Sequence, residues 1–549
     1  MAGRKVRRWP DFWSWGAALI AVVVLAPVAA VIWIAFHPVE NIWPHLMATV
    51  LPRYLGNTLL LMAGVGATTA VAGAGTAWLV TMYRFPGSRI LDYALLFPLA
   101  VPAYLGAYAL VDFLDYSGAL QVGLRQLTGW QSARDYWFPA IRTRWAAILV
   151  LSAALYPYVY LLARAAFREQ SGATYEVARA LGRGGWGLFL RVGIPLVRPA
   201  IAMGVALALM ETVADFGTVD HFGVQTLTTG IFSVWLTGGN AGGAAQIALV
   251  SLGLVVALIW VERFGRRGAR HHRPSRATRP IVAERLRGGQ ALLALLACLL
   301  PFSLGFVLPV GVMGAHALAN PEAWFLPGLG RAVINTLTVG VAAALLTVGG
   351  AVFLVYGVRM ARRELPRRLL PIVSLGYAAP GAVLAVGILI PLAALDHRLA
   401  DLVLVVTGQD PGLVLTGTGF ALVLAYIVRF FGVAQGAVDS AFGRVPPSLP
   451  LAARSLGRGA GGALRAVYLP LMRGSVATAL LVVFVDCVKE LPATLLLRPF
   501  NYNTLSTRLY EQASLERLGE ASPAALLVMG VGLCAVVLLA LANRDPGRN

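Results

Sequence analysis

The sequence predicts an all-α integral membrane protein, with twelve transmembrane helices arranged as two homologous halves of six. Three observations predict it. Hydrophobic residues make up 58% of the 549 residues and charged residues only 13%, whereas a soluble chain carries about a quarter charged residues. Mean hydropathy is +0.73. Apolar runs long enough to cross a bilayer recur along the whole chain, in an order that repeats. The same composition excludes disorder, collagen and a disulfide scaffold. Cys298, Cys487 and Cys534 all lie in apolar runs, and they read as small membrane-buried hydrophobes, with no redox or metal framework.

A spanning helix needs about 20 largely apolar residues. Such runs occupy residues 14–36, 56–80, 90–113, 145–163, 196–216, 244–262, 290–314, 332–356, 369–395, 411–433, 475–497 and 523–543. Gly and Pro inside them are tolerable, because neighbouring helices re-satisfy the freed backbone groups. The first run is too long for the apolar region of a signal peptide, and no A-x-A site closes it, so it reads as a helix.

Charge supplies the orientation. The formal net charge is +20, from 45 Lys+Arg against 25 Asp+Glu. On a soluble chain this would suggest nucleic acid, but in a chain this apolar it reads as a topology signal. With the N-terminus inside, most basic residues fall on the inner side, as the positive-inside rule requires. Both termini are then cytoplasmic, and the chain is a multi-pass protein of the cell (inner) membrane. The basic run 263–287 reads as a linker between halves, and no nucleic-acid partner is expected.

The halves resemble each other at an offset near 275–278. Asn57-Thr58-Leu59 recurs as Asn335-Thr336-Leu337, and Pro102 corresponds to Pro380. Ala180-Leu181-Gly182-Arg183-Gly184 recurs as Ser455-Leu456-Gly457-Arg458-Gly459. Glu211 and Asp215 correspond to Asp486 and Glu490, and Thr226-Leu227-Thr228-Thr229 to Thr504-Leu505-Ser506-Thr507. This divides the chain into a first half 1–265, a basic cytoplasmic linker 266–288 and a second half 289–549. Six helices per half give both halves the same orientation, which predicts a pseudo-twofold along the membrane normal and a path at their interface.

Two cytoplasmic loops, about 164–198 and 434–474, carry the most specific pattern. In the first, Glu176-Val177-Ala178 is followed by Gly182 and, after nine residues, by Val192-Gly193-Ile194-Pro195. In the second, Leu451-Ala452-Ala453 is followed by Gly457 and, at the same spacing, by Val467-Tyr468-Leu469-Pro470. Small residues at Ala178, Ala452 and Ala453 allow close approach of a helix. Gly182 and Gly457 stand where a helix stop stands, and Pro195 and Pro470 where a new helix begins.

This pattern resembles the E-A-A-x-x-x-G-x9-I-x-L-P signature of ATP-binding-cassette (ABC) import permeases, and the layout resembles a type I importer. The resemblance implies that each loop forms a short coupling helix that docks in a cleft of a cytoplasmic ATPase. Leu451 replaces the acidic residue in the second copy, so the two loops need not couple equally. No Gly-x-x-x-x-Gly-Lys-Ser/Thr occurs, and the only lysines are Lys5 and Lys489. The chain is therefore expected to be no enzyme and to bind no cofactor itself. ATP and Mg are expected on a partner, two copies of which serve the duplicated permease.

The spans after these loops hold acidic residues: Glu211, Asp215 and Asp220 in one half, and Asp486 and Glu490 in the other, with Lys489 beside them. Charge at membrane depth is costly and usually faces a cavity or a partner. Two readings stay open. The residues Glu211, Asp215, Asp486, Lys489 and Glu490 line a translocation path for a cation, since carboxylates suit hard cations, or they are structural, with Lys489 paired to a carboxylate. No metal site is assigned. His221 and His316 lie in different halves without an i,i+4 partner, so haem is poorly supported.

Segments 213–230 and 489–510 add a second resemblance, to ferric-iron ABC permeases, which extends through the duplicated layout. It implies import of Fe3+ delivered by an extracytoplasmic solute-binding protein. Fused permeases for thiamine, and permeases for phosphonate or polyamine, share much of this layout. A secondary transporter of twelve spans is the alternative of another class, and the paired loops argue against it. The outer loops 130–145, 220–240 and 498–520 are where a binding protein would be received.

Overall fold

A computed structural model describes residues 12–266, 281–360, 365–373, 376, 379–446 and 448–542. The described chain is almost wholly helical. Eleven helices among the described residues are long and apolar enough to cross a membrane. A twelfth span is counted if Ser88–Ala100 and Ala103–Thr128, bent by 97°, are taken as one. The bend falls at Val101-Pro102, where proline cannot continue the hydrogen-bond ladder. Large apolar side chains stay exposed along the spans, for example Leu19 at 66% and Trp33 at 65% in Phe12–Phe36. That exposure is unfavourable in water by about 25 cal/mol per Å2 but costs nothing against lipid tails.

Several span ends differ from the sequence expectation. The span placed at 196–216 begins at Gly185 and ends at Ala214, and that placed at 475–497 runs Ala460–Lys489. Those at 369–395 and 411–433 lie further on, at Gly381–Thr407 and Phe420–Gly443. In the first two, Gly-rich stretches with poor intrinsic helicity are held helical by the aromatic clusters they pack against. In the third, Pro380 fixes the N-terminus of the helix that starts at Gly381.

The chain forms two compact units, and each takes in helices from both halves of the duplication. One draws on Met1–Asn41, Gly239–Leu252 and Gly330–Thr504. In it, Phe12–Phe36 packs on Leu365–Val373, Gly381–Thr407 and Phe420–Gly443, and the last of these packs on Leu469–Lys489. Small residues make this approach possible: a Cβ on Gly387 would stand 2.0 Å from the Pro27 carbonyl oxygen. Tyr356, Tyr426, Phe431 and Phe442 fill the interior.

The other unit draws on Ile42–Gly238, Gly253–Leu329 and Leu505–Asn549. Leu51–Met82, Arg144–Arg168 and Ile194–Ala214 pack on one another, and Leu308–Ala319 packs on Leu518–Ala542. Gly73 and Gly204 both abut Val159, each leaving only 2.6 Å for a Cβ, the close small-residue packing typical of membrane helices. One two-residue parallel pair, β1 (Tyr83–Arg84) with β2 (Glu284–Arg285), interrupts the helical pattern.

Candidate functional site

The sequence pattern of the first motif-bearing loop folds into a short helix, Gly172–Ala180. Tyr175 and Ala178, three apart and so on one face, are 3% and 9% exposed in a core that includes Trp78, Phe167 and Leu188. The Trp78 ring meets Tyr175, Phe167 and Phe189 at 5.7, 5.4 and 5.3 Å between centroids. Burial pushes the Tyr175 phenol above its ordinary pKa, and its hydroxyl donates to Gln170 Oε1. The opposite face presents Glu176 and Val177 to solvent, followed by Leu181 and Trp186.

The helix ends in a Schellman cap. The Arg183 amide donates to the Ala178 carbonyl at 3.1 Å, and the Gly182 amide to that of Arg179 at 2.8 Å. Gly182 has φ 79°, a left-handed conformation that glycine adopts without the strain a Cβ brings.

The second loop repeats the construction. Ser448–Ser455 is helical, Ala453 is 8% exposed, and the Arg458 amide donates to the Ala453 carbonyl at 3.0 Å. Gly457 has φ 80°. Leu451 and Ala452 face solvent, as do Leu456 and Gly457. Here the aromatic anchor is Tyr356, whose ring meets Tyr468 and Phe442 at 5.5 and 5.9 Å and whose hydroxyl donates to the Ala460 carbonyl at 2.6 Å.

Both loops return to a span through a π turn, Phe189–Gly193 and Leu464–Tyr468. Pro195 and Pro470 follow as second residues of Ile194–Ala214 and Leu469–Lys489. The amides of Ile194 and Leu469 reach five residues back, to Phe189 and Leu464. Proline cannot donate and crowds the carbonyl four residues before it, and a π turn accommodates that. The same arrangement precedes Pro309, after Ser303–Val307.

The acidic residues take up local partners. Asp215 ends Ile194–Ala214 and accepts from the Thr218 and Val219 amides at 3.0 and 3.2 Å and from the Thr218 hydroxyl at 2.9 Å. Glu490, its counterpart, accepts from the Ala493 and Thr494 amides at 3.2 Å and from the Thr494 hydroxyl at 2.9 Å. Each carboxylate therefore satisfies the first-turn amides of the next short helix, as an N-cap does. Glu490 also faces Arg429 at 3.5 Å, and Lys489 pairs with Asp486 at 2.9 Å. Glu211 is half-buried on Ile194–Ala214, and Asp220 accepts from the Tyr510 hydroxyl at 2.7 Å. Among the described residues, no three His, Cys, Asp or Glu side chains come together to hold a metal ion.

Sequence reasoning missed Arg429, although an arginine inside the apolar run Phe420–Gly443 was visible. It also missed Gly381, where a Cβ would stand 2.5 Å from Glu490 Oε1 and 2.6 Å from Arg429 Nη1. A third omission is Asp92, which binds Arg164 at 2.6 Å and Arg168 at 2.7 Å and so braces the helix leading into the first loop.

The sequence profile described as "Binding-protein-dependent transport system inner membrane component" matches residues 69–270, which contain the first loop entire. The chain is 25% identical over 487 residues to the "Fe(3+)-transport system permease protein FbpB 2" of Haemophilus influenzae, an alignment covering 86% of this chain and 87% of that one. It is 26% identical over 204 residues to the "Molybdenum transport system permease protein ModB" of Escherichia coli, covering 35% of this chain and 85% of that protein. It is 26% identical over 272 residues to the "Sulfate transport system permease protein CysT" of Escherichia coli, covering 47% and 95%. Residues 69–270 thus match a permease domain of binding-protein-dependent transport systems, and over most of its length the many-spanned chain is similar to inner-membrane permeases of ABC importers, which work with an ATPase and a solute-binding protein.

Proposed function

We propose that this permease imports ferric iron handed over by an extracytoplasmic binding protein. Its two coupling helices, Gly172–Ala180 and Ser448–Ser455, each dock one copy of a cytoplasmic ATPase. The observation that carries the reading is the pairing of these loops: each has a short helix with one buried alanine, a left-handed glycine in its cap and a π turn before its proline. Glu176, Val177, Ala178 and Gly182, with Ala452, Ala453 and Gly457, form the docking ends, and Pro195 and Pro470 join them to the spans. ATP and Mg belong to the ATPase. Both termini and both coupling loops face the cytoplasm, in accord with the basic residues around them. ATP binding moves the coupling helices, and the spans alternate between outward and inward access.

Iron is favoured by the full-length likeness. The relative named for Fe(3+) covers 86% of this chain, whereas those named for molybdenum and sulfate cover 35% and 47%. Glu211, Asp215, Asp486, Lys489 and Glu490 are the charged groups that the ion would meet on its way.

The test is ATP-driven uptake in vesicles holding the permease, the ATPase and the binding protein, with Fe3+, thiamine, sulfate and molybdate compared. Uptake of Fe3+ alone is expected. Uptake of one of the others in its place would overturn the substrate. Gly182→Leu and Gly457→Leu each force a side chain into the left-handed region, at about 1 kcal/mol or more locally, and each should cut uptake severely. Normal uptake in both would overturn the coupling assignment.

A further inference from the structure

The first coupling helix is not held by its own loop alone. The stretch that precedes helix Gly288–Phe302 runs beside it. β2 pairs in parallel with β1, Tyr83 opposite Glu284 and Arg84 opposite Arg285, and the Leu286 amide donates to the Arg84 carbonyl at 2.9 Å. Ile281 and Leu286, both half-buried, pack on the same core that receives Tyr175 and Ala178. Between these apolar anchors Glu284 reaches the coupling helix itself: its carboxylate lies 2.7 Å from Arg179 Nη2. Arg179 is the residue whose carbonyl accepts the Gly182 amide in the Schellman cap. One ion pair thus joins the coupling helix, at its capped end, to a strand that leads within three residues into Gly288–Phe302.

We propose that the end of the inter-half linker is a strap on the first coupling helix, and that Glu284 is a positioning residue which sets that helix for the ATPase through Arg179. The proposal rests on reading Gly172–Ala180 as a coupling helix. Its chemistry is that of orientation. The two side chains are 34% and 50% exposed, and exposed pairs add little to stability. What the pair can do is fix one rotational setting of a short helix, whose exposed face carries Glu176 and Val177. A strap of this kind also makes the two loops unequal, because it is built from the segment that fuses the halves.

The experiment uses the full chain with its ATPase and binding protein in vesicles, and reads Fe3+ transported per ATP hydrolysed together with chain level and unfolding temperature. Glu284→Gln keeps the size of the side chain and removes its charge. It should lower transport per ATP roughly threefold, the scale of a half-exposed pair, with level and unfolding temperature unchanged. Arg179→Glu alone should do the same or worse, and Arg179→Glu combined with Glu284→Arg should restore most of the loss. Transport per ATP unchanged in Glu284→Gln while Gly182→Leu blocks uptake would overturn the strap and leave the coupling reading standing. Normal uptake in Gly182→Leu would overturn both. A Glu284→Gln defect that the charge exchange does not restore would overturn the role of the pair.

Discussion

Arg429 Nη1 lies 3.5 Å from the Glu490 carboxylate, with the two side chains only 11% and 2% exposed. The same carboxylate caps Pro492–Leu497 through the Ala493 and Thr494 amides. It therefore neutralises an arginine set in an apolar helix and completes the next helix at once. Removing one partner of a buried pair costs about 3–5 kcal/mol, whereas neutralising both is far milder. Arg429→Met should accordingly lower the unfolding temperature of the purified chain strongly. Adding Glu490→Gln should recover most of the loss, since Gln keeps an oxygen for the amides and drops the orphaned charge. Thermal unfolding of the single and double variants in detergent checks this, and equal losses in both would show that the ion pair is not what matters there.

The duplication makes a second prediction. Asn57 Nδ2 donates to the Gln225 carbonyl at 2.8 Å, and Asn335 Nδ2 donates to the Asn503 carbonyl at 2.9 Å. Each contact pins the stretch before a Thr-Leu turn to a long span, Leu51–Met82 or Leu329–Met360. Loss of one such hydrogen bond is worth about 1 kcal/mol. Asn57→Ala and Asn335→Ala should therefore cost similar amounts. The double variant should cost their sum within about 0.5 kcal/mol, because the two contacts share no partner. Denaturation of the three variants reads the comparison, and a marked inequality between the singles would mean that the repeated residues no longer do repeated work.

What was legible in the sequence follows from how local each feature is. The shape of the two motif-bearing loops could be read because a helix stop at Gly182 or Gly457 and a restart at Pro195 or Pro470 are set by backbone rules within a few residues. The Glu490–Arg429 pair could not, since an arginine in one apolar run gives no sign of which later carboxylate it meets. The β1–β2 pair was also out of reach: two residues are too few for a period-2 pattern. Nor does a repeat reveal packing partners. Phe12–Phe36 meets Gly381–Thr407 because Gly387 leaves room for the Pro27 backbone, a fit visible only in three dimensions. The Gly-rich stretches before Pro195 and Pro470 read as loop by propensity, yet packing around Trp78 and Tyr356 makes them helical.

Pro195 and Pro470 carry the last prediction, because each explains a π turn. With no N–H to offer, Pro195 leaves the Ile194 amide to reach back to Phe189, and Pro470 does the same for Leu469 and Leu464. Pro195→Ala restores a donor and removes the ring clash, a change worth up to about 3 kcal/mol in a helix interior. The helix is then free to run on as a regular α-helix, with one residue fewer in the widened turn. Everything on its N-terminal side would rotate by about 100° against the span. Phe189 would leave Trp78, now 5.3 Å away, and the loop before it would turn with it. Pro195→Ala should therefore keep or raise the unfolding temperature while reducing ATP-driven uptake. Pro470→Ala should do likewise by moving Tyr468 off Phe442, 5.0 Å away. Unfolding and uptake measured on the same preparations separate the possibilities. A joint fall in both would make the prolines packing elements only, and unchanged uptake would show that coupling does not depend on the register of these loops.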